Sequence, residues 1–288
     1  MAAHSQPFSP RQSMNVPGFE VFHYRARQQE NIPIHHHDFY EVYFFRSGKV
    51  DFRVEGRTYR LEPGDVLLIG PQQFHQAIVD PNTVYERFVL WIDKAFLVSV
   101  STPDMPLWDC FDRSTDLLRP DKLPSAALLT LLEPLIEEFY SNRPGGPLYA
   151  RGLFLQLMVT LNRLVRGRAS GVLVPEAPDL ISQVLTFIGS HFEEPITLEQ
   201  LSAEFFVSKY HLSREFRQRV GTSLYHYVIC KRLLRARELM DEGQAPGAVY
   251  QSCGFGDYAN FYRAFRSEYG LSPKDYCTGQ IKLASCKK

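Results

Sequence analysis

Histidines and a nearby carboxylate are the side chains of this chain best suited to chemistry. The triplet His35-His36-His37 ends four residues before Glu41, and His75 follows later in the chain. Imidazole nitrogens and a carboxylate oxygen are ligands for divalent transition metals. The same groups also hydrogen-bond polar organic molecules, because imidazole donates or accepts and carboxylate accepts. The residue types alone leave open a metal site, a ligand pocket or a purely structural role.

The elements around these residues have the pattern of short strands. Polar and apolar residues alternate in brief runs from Phe19 to Ile92, which predicts half-buried strands. Turn signals separate the runs, so successive strands are expected to pair antiparallel in a small barrel or sandwich. These signals are Ser47-Gly48, Glu55-Gly56 and Pro63-Gly64-Asp65.

A strand running through the histidines would place alternate side chains on one face, directed into the barrel. A later strand, VYERFVLWI, brings two further polar residues whose facing the sequence leaves open. The candidate effector-binding residues are His35, His37, Glu41, Tyr43, His75, Glu86 and Arg87. The metal alternative would use His35, His37, Glu41 and His75, whereas the favoured interpretation includes no metal and no other cofactor.

The period of the apolar residues changes after about Pro120. Two leucine-rich stripes with helical spacing, Leu128 to Phe139 and Leu153 to Leu164, predict a helical hairpin. The stripes would either cover the strand domain or contact a second subunit, and a homodimer contact is favoured. The expected domains are 1–120 for the strands, 121–167 for the hairpin, 168–178 for a Gly/Ser/Pro linker and 179–288 for an all-helical domain.

The last hundred residues contain a near-copy. LSREFRQRVGTSLYHY at 212–227 recurs 49 positions later as FYRAFRSEYGLSPKDY, with six identical positions. Ser208 and Asp257 are expected to cap the two copies, and Gly221 and Gly270 are expected to end them. Two similar helical units therefore lie near the carboxyl end, and the fold class is expected to be α+β with several domains.

Basic residues concentrate around the first copy. Eight lysines and arginines lie between residues 208 and 237, against one acid, Glu215. Such a strip suits the phosphate backbone of a nucleic acid, and it equally suits a solvated helix face.

The residues TLEQLSAEFFVSKYHLSREFRQRVGTSLYHY and the later pattern GFxDxxxFxRxFRxxxGxSPxxY resemble the DNA-binding domain of AraC/XylS transcription regulators. The resemblance covers about 100 residues. It implies two recognition helices, at 208–219 and 257–267, that enter successive major-groove segments of double-stranded promoter DNA. Leu212, Phe216, Phe261 and Phe265 are expected inside. The candidate DNA-binding residues are Lys209, Tyr210, Ser213, Arg214, Arg217, Tyr258, Ala259, Asn260, Tyr262 and Arg263.

Alternatives remain on the repeated unit. Arg214 and Arg263 occupy equivalent places in the two copies. Instead of contacting DNA, they would bridge helices within each module. The chain also departs from the family, which usually has small residues at the places of Tyr250 and Phe206. Bulk at Tyr250 is expected to disturb close packing in the second module and to weaken its DNA contact.

The histidine cluster with Gly48 and Pro63-Gly64-Asp65 resembles the two motifs of cupin domains. Together the resemblances imply a transcription regulator, more often an activator that contacts RNA polymerase, with a cupin-like domain that senses a small molecule such as a sugar. The rival interpretation is a metal-dependent cupin enzyme, an oxygenase or isomerase, with an appended helical domain. The favoured interpretation is not an enzyme.

Composition limits the other possibilities. Apolar residues make up 44% and charged residues 22% of the chain, as in ordinary globular proteins. We expect a cytoplasmic protein without a membrane partner, because no long apolar run or signal-peptide pattern occurs. Five cysteines without a CxxC pair argue against a disulfide framework and a thiolate zinc site.

Overall fold

The computed structural model describes residues 12–27, 32–112, 117–119, 122–168 and 179–278. The chain divides into two compact units, Met1–Glu176 and Ala177–Lys288. The predicted helical hairpin therefore belongs to the same unit as the strands. The predicted linker lies outside the described residues except for its first position.

The first unit contains two antiparallel sheets, as the alternation predicts. The larger sheet has the order β1-β7-β2-β5-β8, and the smaller one has the order β4-β3-β6. The strands are β1 Phe19–Arg27, β2 Tyr40–Ser47, β3 Val50–Val54, β4 Arg57–Arg60, β5 Val66–Ile69, β6 His75–Val79, β7 Val84–Ile92 and β8 Leu117–Leu118. The two-sheet arrangement is compatible with the predicted sandwich.

Local turn chemistry sets the register of the small sheet. Glu55 and Gly56 both have positive φ angles, 44° and 76°, and they join β3 to β4. Two successive positive φ values match the twist of a two-residue hairpin. The turn pairs Val54 with Arg57, and this confirms the predicted Glu55-Gly56 hairpin.

Each face of the larger sheet has its own core. One face packs against the smaller sheet. Helices cover the other face, and the ring of Phe19 on β1 stacks on that of Phe154 at 4.5 Å. These helices are α1 Lys94–Ser99, α2 Asp109–Asp112, α3 Lys122–Phe139 and α4 Gly146–Arg168.

The two leucine stripes lie in this helix-covered core. Leu132 and Leu135 on α3, and Leu157 and Leu161 on α4, have no solvent exposure. The stripes therefore cover the sheet of their own chain, which was the alternative to a dimer contact. A second subunit would have to meet other residues of the hairpin.

The second unit is all helical. Its helices are α5 Leu180–His191, α6 Leu198–Glu204, α7 Lys209–Val220, α8 Leu224–Asp241, α9 Pro246–Ser252 and α10 Tyr258–Tyr269, followed by a helical segment at 273–278 that we call α11. α6 with α7 and α9 with α10 form two helix-turn-helix modules, and α8 packs against both. The tandem arrangement predicted from the repeat is confirmed.

The repeated caps explain why both modules have the same local shape. The Ser208 hydroxyl accepts a hydrogen bond from the amide of His211 at 3.2 Å, and the Asp257 carboxylate accepts one from Asn260 at 2.7 Å. Gly221 and Gly270 end α7 and α10 with left-handed φ angles of 81° and 76°. Glycine adopts this conformation without steric cost, and the predicted caps are confirmed.

Among the residues that the structure describes, none of the helices combines the length and hydropathy that a membrane span requires. The cysteines within the described ranges are free thiols, namely Cys110, Cys230, Cys253 and Cys277.

Candidate functional site

A polar cavity of about 50 Å³ lies between the two sheets of the first unit. The structure brings most of the predicted effector residues to its wall. Those that line it are His35, Glu41, Tyr43, His75 and Arg87. Backbone hydrogen bonds between His35 and His75, of 3.1 and 2.9 Å, hold the two motifs side by side.

His37 reaches this group by a bend that the sequence did not predict. β2 begins at Tyr40 rather than at the histidines, and residues 38–39 form a bend. Nε2 of His37 lies 3.1 Å from a carboxylate oxygen of Glu41. In a continuous strand, residues four apart would be separated by roughly 13 Å. The expected strand through His35 and His37 is therefore wrong, and the bend creates the contact.

Glu41 is a buried carboxylate with two donors. The same oxygen that meets His37 accepts a hydrogen bond from the indole nitrogen of Trp91 at 2.9 Å. Burial opposes ionisation, but the hydrogen bond and charge of His37 outweigh it, and the pKa of Glu41 lies below its usual value. The carboxylate is thus anionic and already engaged.

Nδ1 is protonated in three of the imidazoles for the same reason. Nδ1 of His35, His37 and His75 lies 2.9, 2.9 and 2.8 Å from a backbone carbonyl oxygen. A carbonyl only accepts, so each Nδ1 carries a proton. Burial lowers the pKa of His35 to about 4 and that of His75 well below its usual value. His35 and His75 are therefore neutral near pH 7, with a lone pair on Nε2.

Part of this cluster fits a metal ion. Ligand atoms of His37, Glu41 and His75 all lie within 4.8 Å of one another. Metal-binding histidines commonly donate their second nitrogen to a carbonyl, as these do. His35 is not a member of the three-residue group, although its ring centroid lies 4.3 Å from that of His75. The three ligands suit a divalent transition metal, and the Nε2 lone pair of His75 equally suits a hydroxyl group of an organic molecule.

The opposite wall carries phenols and a guanidinium. The hydroxyl groups of Tyr43 and Tyr85 hydrogen-bond to each other. Burial raises the pKa of both phenols, so both keep their protons. The guanidinium of Arg87 lies 4.3 Å from the ring centroid of Tyr24 and 4.4 Å from that of Tyr85. Tyr24 and Tyr85 were not predicted, although Tyr85 shares its strand face with Arg87 by simple alternation.

Glu86 is a wrong assignment to the cavity. Adjacent residues of a strand point to opposite faces, and Glu86 faces away from Arg87. Its carboxylate lies 3.0 Å from Nε2 of His23 and 3.7 Å from guanidinium nitrogens of Arg25 and Arg46. The sequence left open which face of β7 lines the cavity, and in the structure it is the face that carries Arg87.

On α7, all five candidate DNA-binding residues are exposed, while Leu212 and Phe216 are fully buried as predicted. The five are Lys209, Tyr210, Ser213, Arg214 and Arg217. Arg214 approaches Glu215 at 3.5 Å and the ring of Tyr210 at 5.9 Å, both on its own helix. Its contacts therefore give no support to a bridge between helices.

On α10, two of the candidate residues, Asn260 and Arg263, hydrogen-bond to each other. Tyr258, Ala259, Asn260 and Arg263 are exposed, and Tyr262 is half-buried. Asn260 donates a side-chain hydrogen bond to Asp257 and accepts one from Arg263 at 2.5 Å. A base edge that binds Asn260 or Arg263 must therefore compete with, or extend, this chain of hydrogen bonds.

The basic strip is narrower than the residue count indicates. Arg232 donates to the carbonyl oxygens of Phe192 and Glu194 at 2.7 Å each, which ties α8 to the segment after α5. Arg237 lies over the ring of Tyr269 at 4.9 Å. These two arginines stabilise the domain, so the exposed basic residues lie mainly on α7, where Lys209 is itself paired with Glu199 at 2.8 Å.

Tyr250 is accommodated without loss of the second module. The ring is half-buried at the edge of the module's core and meets that of Tyr258 edge-on at 5.7 Å. α9 and α10 both form around it. Weaker DNA binding by this module remains a prediction.

Two family models match the chain. The AraC-like ligand-binding domain matches residues 16–158, and the helix-turn-helix domain matches residues 201–278. The regulator YbfI of Bacillus subtilis is 29% identical over 247 residues, which are 84% of this chain and 85% of YbfI. The transcriptional activator RhaS of Citrobacter koseri is 25% identical over 263 residues, which are 88% of this chain and 91% of RhaS.

A solved structure also aligns with the chain. An apo form of a ToxT variant from Vibrio cholerae covers 92% of this chain and 99% of its own, at 14% identity and a TM-score of 0.40. The matched domains and curated relatives are those of DNA-binding regulators, so the alternative of a metal-dependent enzyme is rejected. With a ligand-binding sheet domain followed by paired helix-turn-helix modules, the chain belongs to the AraC/XylS family of transcription regulators.

Proposed function

We propose that this regulator binds promoter DNA through α7 and α10 and activates transcription when a hydroxylated small molecule, such as a carbohydrate, occupies the cavity of the first unit. The observation that best supports the proposal is that one chain combines this cavity, lined by polar and aromatic side chains, with two capped helices whose early residues are exposed. The named activity of RhaS supports activation rather than repression.

The cavity has the donors and acceptors that a polyhydroxy compound requires. Tyr43 and Tyr85 keep their protons, the neutral imidazole of His75 presents a lone pair, and Glu41 adds a buried anion. Aromatic rings complete the wall. Small-molecule sites combine apolar walls with a few convergent polar groups in this manner.

The helices present the chemistry of base readout. The early residues of α7 stand exposed beside its capped N-terminus, where recognition helices approach base edges. Arg214 and Arg263 suit guanine and Asn260 suits adenine, whereas Arg217 suits a phosphate. We assign the ten residues named from the sequence to this DNA contact.

Assembly and location complete the proposal. We propose a cytoplasmic homodimer that contacts RNA polymerase. The hairpin offers exposed apolar residues for a second copy, Leu148 at 76% and Tyr149 at 61% exposure. A ligand changes activity only if it binds one arrangement of the protein more tightly than another.

The test begins with selection of bound fragments from random duplex DNA by the full chain. We expect a recurrent sequence with two major-groove elements about one helical turn apart. Transcription from a promoter with that sequence, using purified RNA polymerase, should rise when the effector is added. Binding without any sequence preference at low ionic strength would remove the proposal, and lowered transcription would replace activation with repression.

A further inference from the structure

Arg87 is a buried cation at the wall of the cavity. It lies near the middle of β7, opposite Tyr24 of β1 and Phe45 of β2, and its exposure is only 6%. The guanidinium lies between the rings of Tyr24 and Tyr85. Its Nη1 atom has no hydrogen-bond partner among the residues that the structure describes.

The charge of Arg87 also has no counter-ion within the described ranges. The neighbouring Glu86 faces the other side and pairs with His23. Glu41 lines the same cavity, but one of its oxygens already accepts from His37 and Trp91. Removal of an unpaired cation from water is unfavourable, and stacking on the rings of Tyr24 and Tyr85 offsets only part of that cost. Within the described ranges, the charge of Arg87 is therefore only partly compensated.

A second orphaned atom faces the same space. Nε2 of His75 is buried and has no hydrogen-bond partner in the described part of the chain. Because Nδ1 of this ring donates to Gln73, Nε2 carries the lone pair and accepts. The cavity thus offers an unused guanidinium donor on one wall and an unused imidazole acceptor on another.

We propose that the effector is an organic acid bearing a hydroxyl group, with its carboxylate hydrogen-bonded to Nη1 of Arg87 and its hydroxyl donating to Nε2 of His75. This deepens the proposed function, on which it rests, by naming the ligand class. A sugar acid satisfies it and a neutral sugar does not. One arginine suits a carboxylate, which carries one charge, better than a phosphate.

The size of the cavity determines which small ligand can test the proposal. About 50 Å³ accommodates roughly three to five water-sized groups. Glycolate, the smallest hydroxycarboxylate, is close to that size, and glycolamide is its neutral counterpart. The larger pair gluconate and glucose tests the same distinction when the wall adjusts to a longer ligand.

The experiment titrates these four compounds and inorganic phosphate into the full-length chain at constant ionic strength. The chain has two tryptophans. Trp108→Phe leaves Trp91, which lines the cavity, as the sole reporter of binding by fluorescence. We expect saturable binding of glycolate or gluconate, at least tenfold weaker binding of glycolamide and glucose, and at least tenfold weaker acid binding in Arg87→Met.

Two further variants separate recognition from folding. Arg87→Lys keeps the charge and should recover part of the acid binding, while Glu86→Gln, on the other face of β7, should leave it unchanged. Without ligand, Arg87→Met should unfold at a higher temperature than the parent, since it removes an unpaired buried charge.

Equal binding of acid and neutral partner, no binding of either acid, preference for phosphate, or full acid binding in Arg87→Met would each overturn the proposal. DNA binding is measured on the same preparations, so that failure of the proposed function can be distinguished from failure of the proposed ligand class. Loss of sequence preference in the parent chain would reject the proposed function, whereas intact DNA binding with no acid recognition would reject only the ligand class.

Discussion

Phe206 and Gly254 occupy the same place in the two helix-turn-helix turns, one with a large side chain and the other with none. Each follows the C-cap of the first helix of its module and has a left-handed backbone, with φ angles of 54° and 82°. The next residues, Val207 and Phe255, make equivalent 3.0 Å hydrogen bonds five residues back. The ring of Phe206 is 95% exposed, so little packing offsets its backbone strain.

Replacement of Phe206 by glycine should stabilise the protein. A left-handed non-glycine residue costs about 1 to 2 kcal/mol, and the larger entropy of glycine in the unfolded chain returns part of that. The free energy of unfolding should therefore rise by about 0.5 to 1 kcal/mol, measured by urea denaturation. A decrease would mean that the exposed ring makes a stabilising contact.

Gly254→Ala is the matched control in the second module. A Cβ there would lie 2.5 Å from the carbonyl oxygen of Glu193, in addition to the positive φ. We expect a loss of about 1 to 3 kcal/mol in the free energy of unfolding. Phe206→Gly removes a side chain from a left-handed residue and Gly254→Ala adds one, so the backbone angle alone predicts opposite signs. A loss at Gly254 that exceeds the gain at Phe206 would measure the additional cost of the close approach to Glu193.

Arg214→Ala should weaken specific DNA binding by about 1 to 3 kcal/mol and relax preference at one base pair. The reason is its exposed place on α7, where its ion pair and its ring contact are both with residues of the same helix. Fluorescence anisotropy on the selected sequence and its single-base variants measures both effects. Arg143→Ala, which removes an exposed arginine paired with Glu137 and Glu138 in the first unit, is the control of equal charge. Unchanged affinity for Arg214→Ala would reject its assignment to a base.

Stability should fall as the pH falls from about 6.5 to 4, because of His35. Burial lowers its pKa in the folded state to about 4 from 6.5. Within that window the unfolded chain binds a proton that the folded chain does not, so the free energy of unfolding decreases with falling pH. The full shift corresponds to about 3 kcal/mol.

His35→Gln isolates that contribution, since glutamine does not titrate. Urea denaturation at pH 7 and at pH 4.5 should give a smaller difference for the variant than for the parent chain. The buried His75 contributes in the same direction, so some dependence should persist. Parallel curves for variant and parent would contradict the assigned role of His35.

The fragment of residues 177–288 should bind the selected sequence on its own. This unit has its own buried core and both recognition helices. We expect a monomer with lower affinity, the same base preferences and no response to effector, measured by anisotropy and by sedimentation. A folded fragment without DNA binding would mean that the first unit contributes directly to the DNA contact.

Local features of the helical domain were predictable from the sequence. Caps and helix ends depend on residues within one turn, so Ser208 and Asp257 marked where α7 and α10 begin, and Gly221 and Gly270 marked where they end. The apolar spacing of Leu212 and Phe216 likewise identified the buried face. The histidines and Glu41 were recognised as one cluster because residue type and spacing limit what they can bind.

Tertiary contacts decided the rest. Only the pairing of β7 between β1 and β2 turns Arg87 inward and Glu86 outward, because a shift of one residue in strand register exchanges the faces. The bend at residues 38–39 brings His37 to Glu41, and it lies between the backbone hydrogen bonds of His35 with His75 and the start of β2. Likewise, Arg232 and Arg237 bind groups of their own domain rather than adding to the exposed basic surface. The sequence did not show this, because their partners lie some 40 residues away in the chain. Sequence patterns report spacing over one or two turns, whereas the direction of a side chain and the partner of a charge depend on which distant segments fold against it.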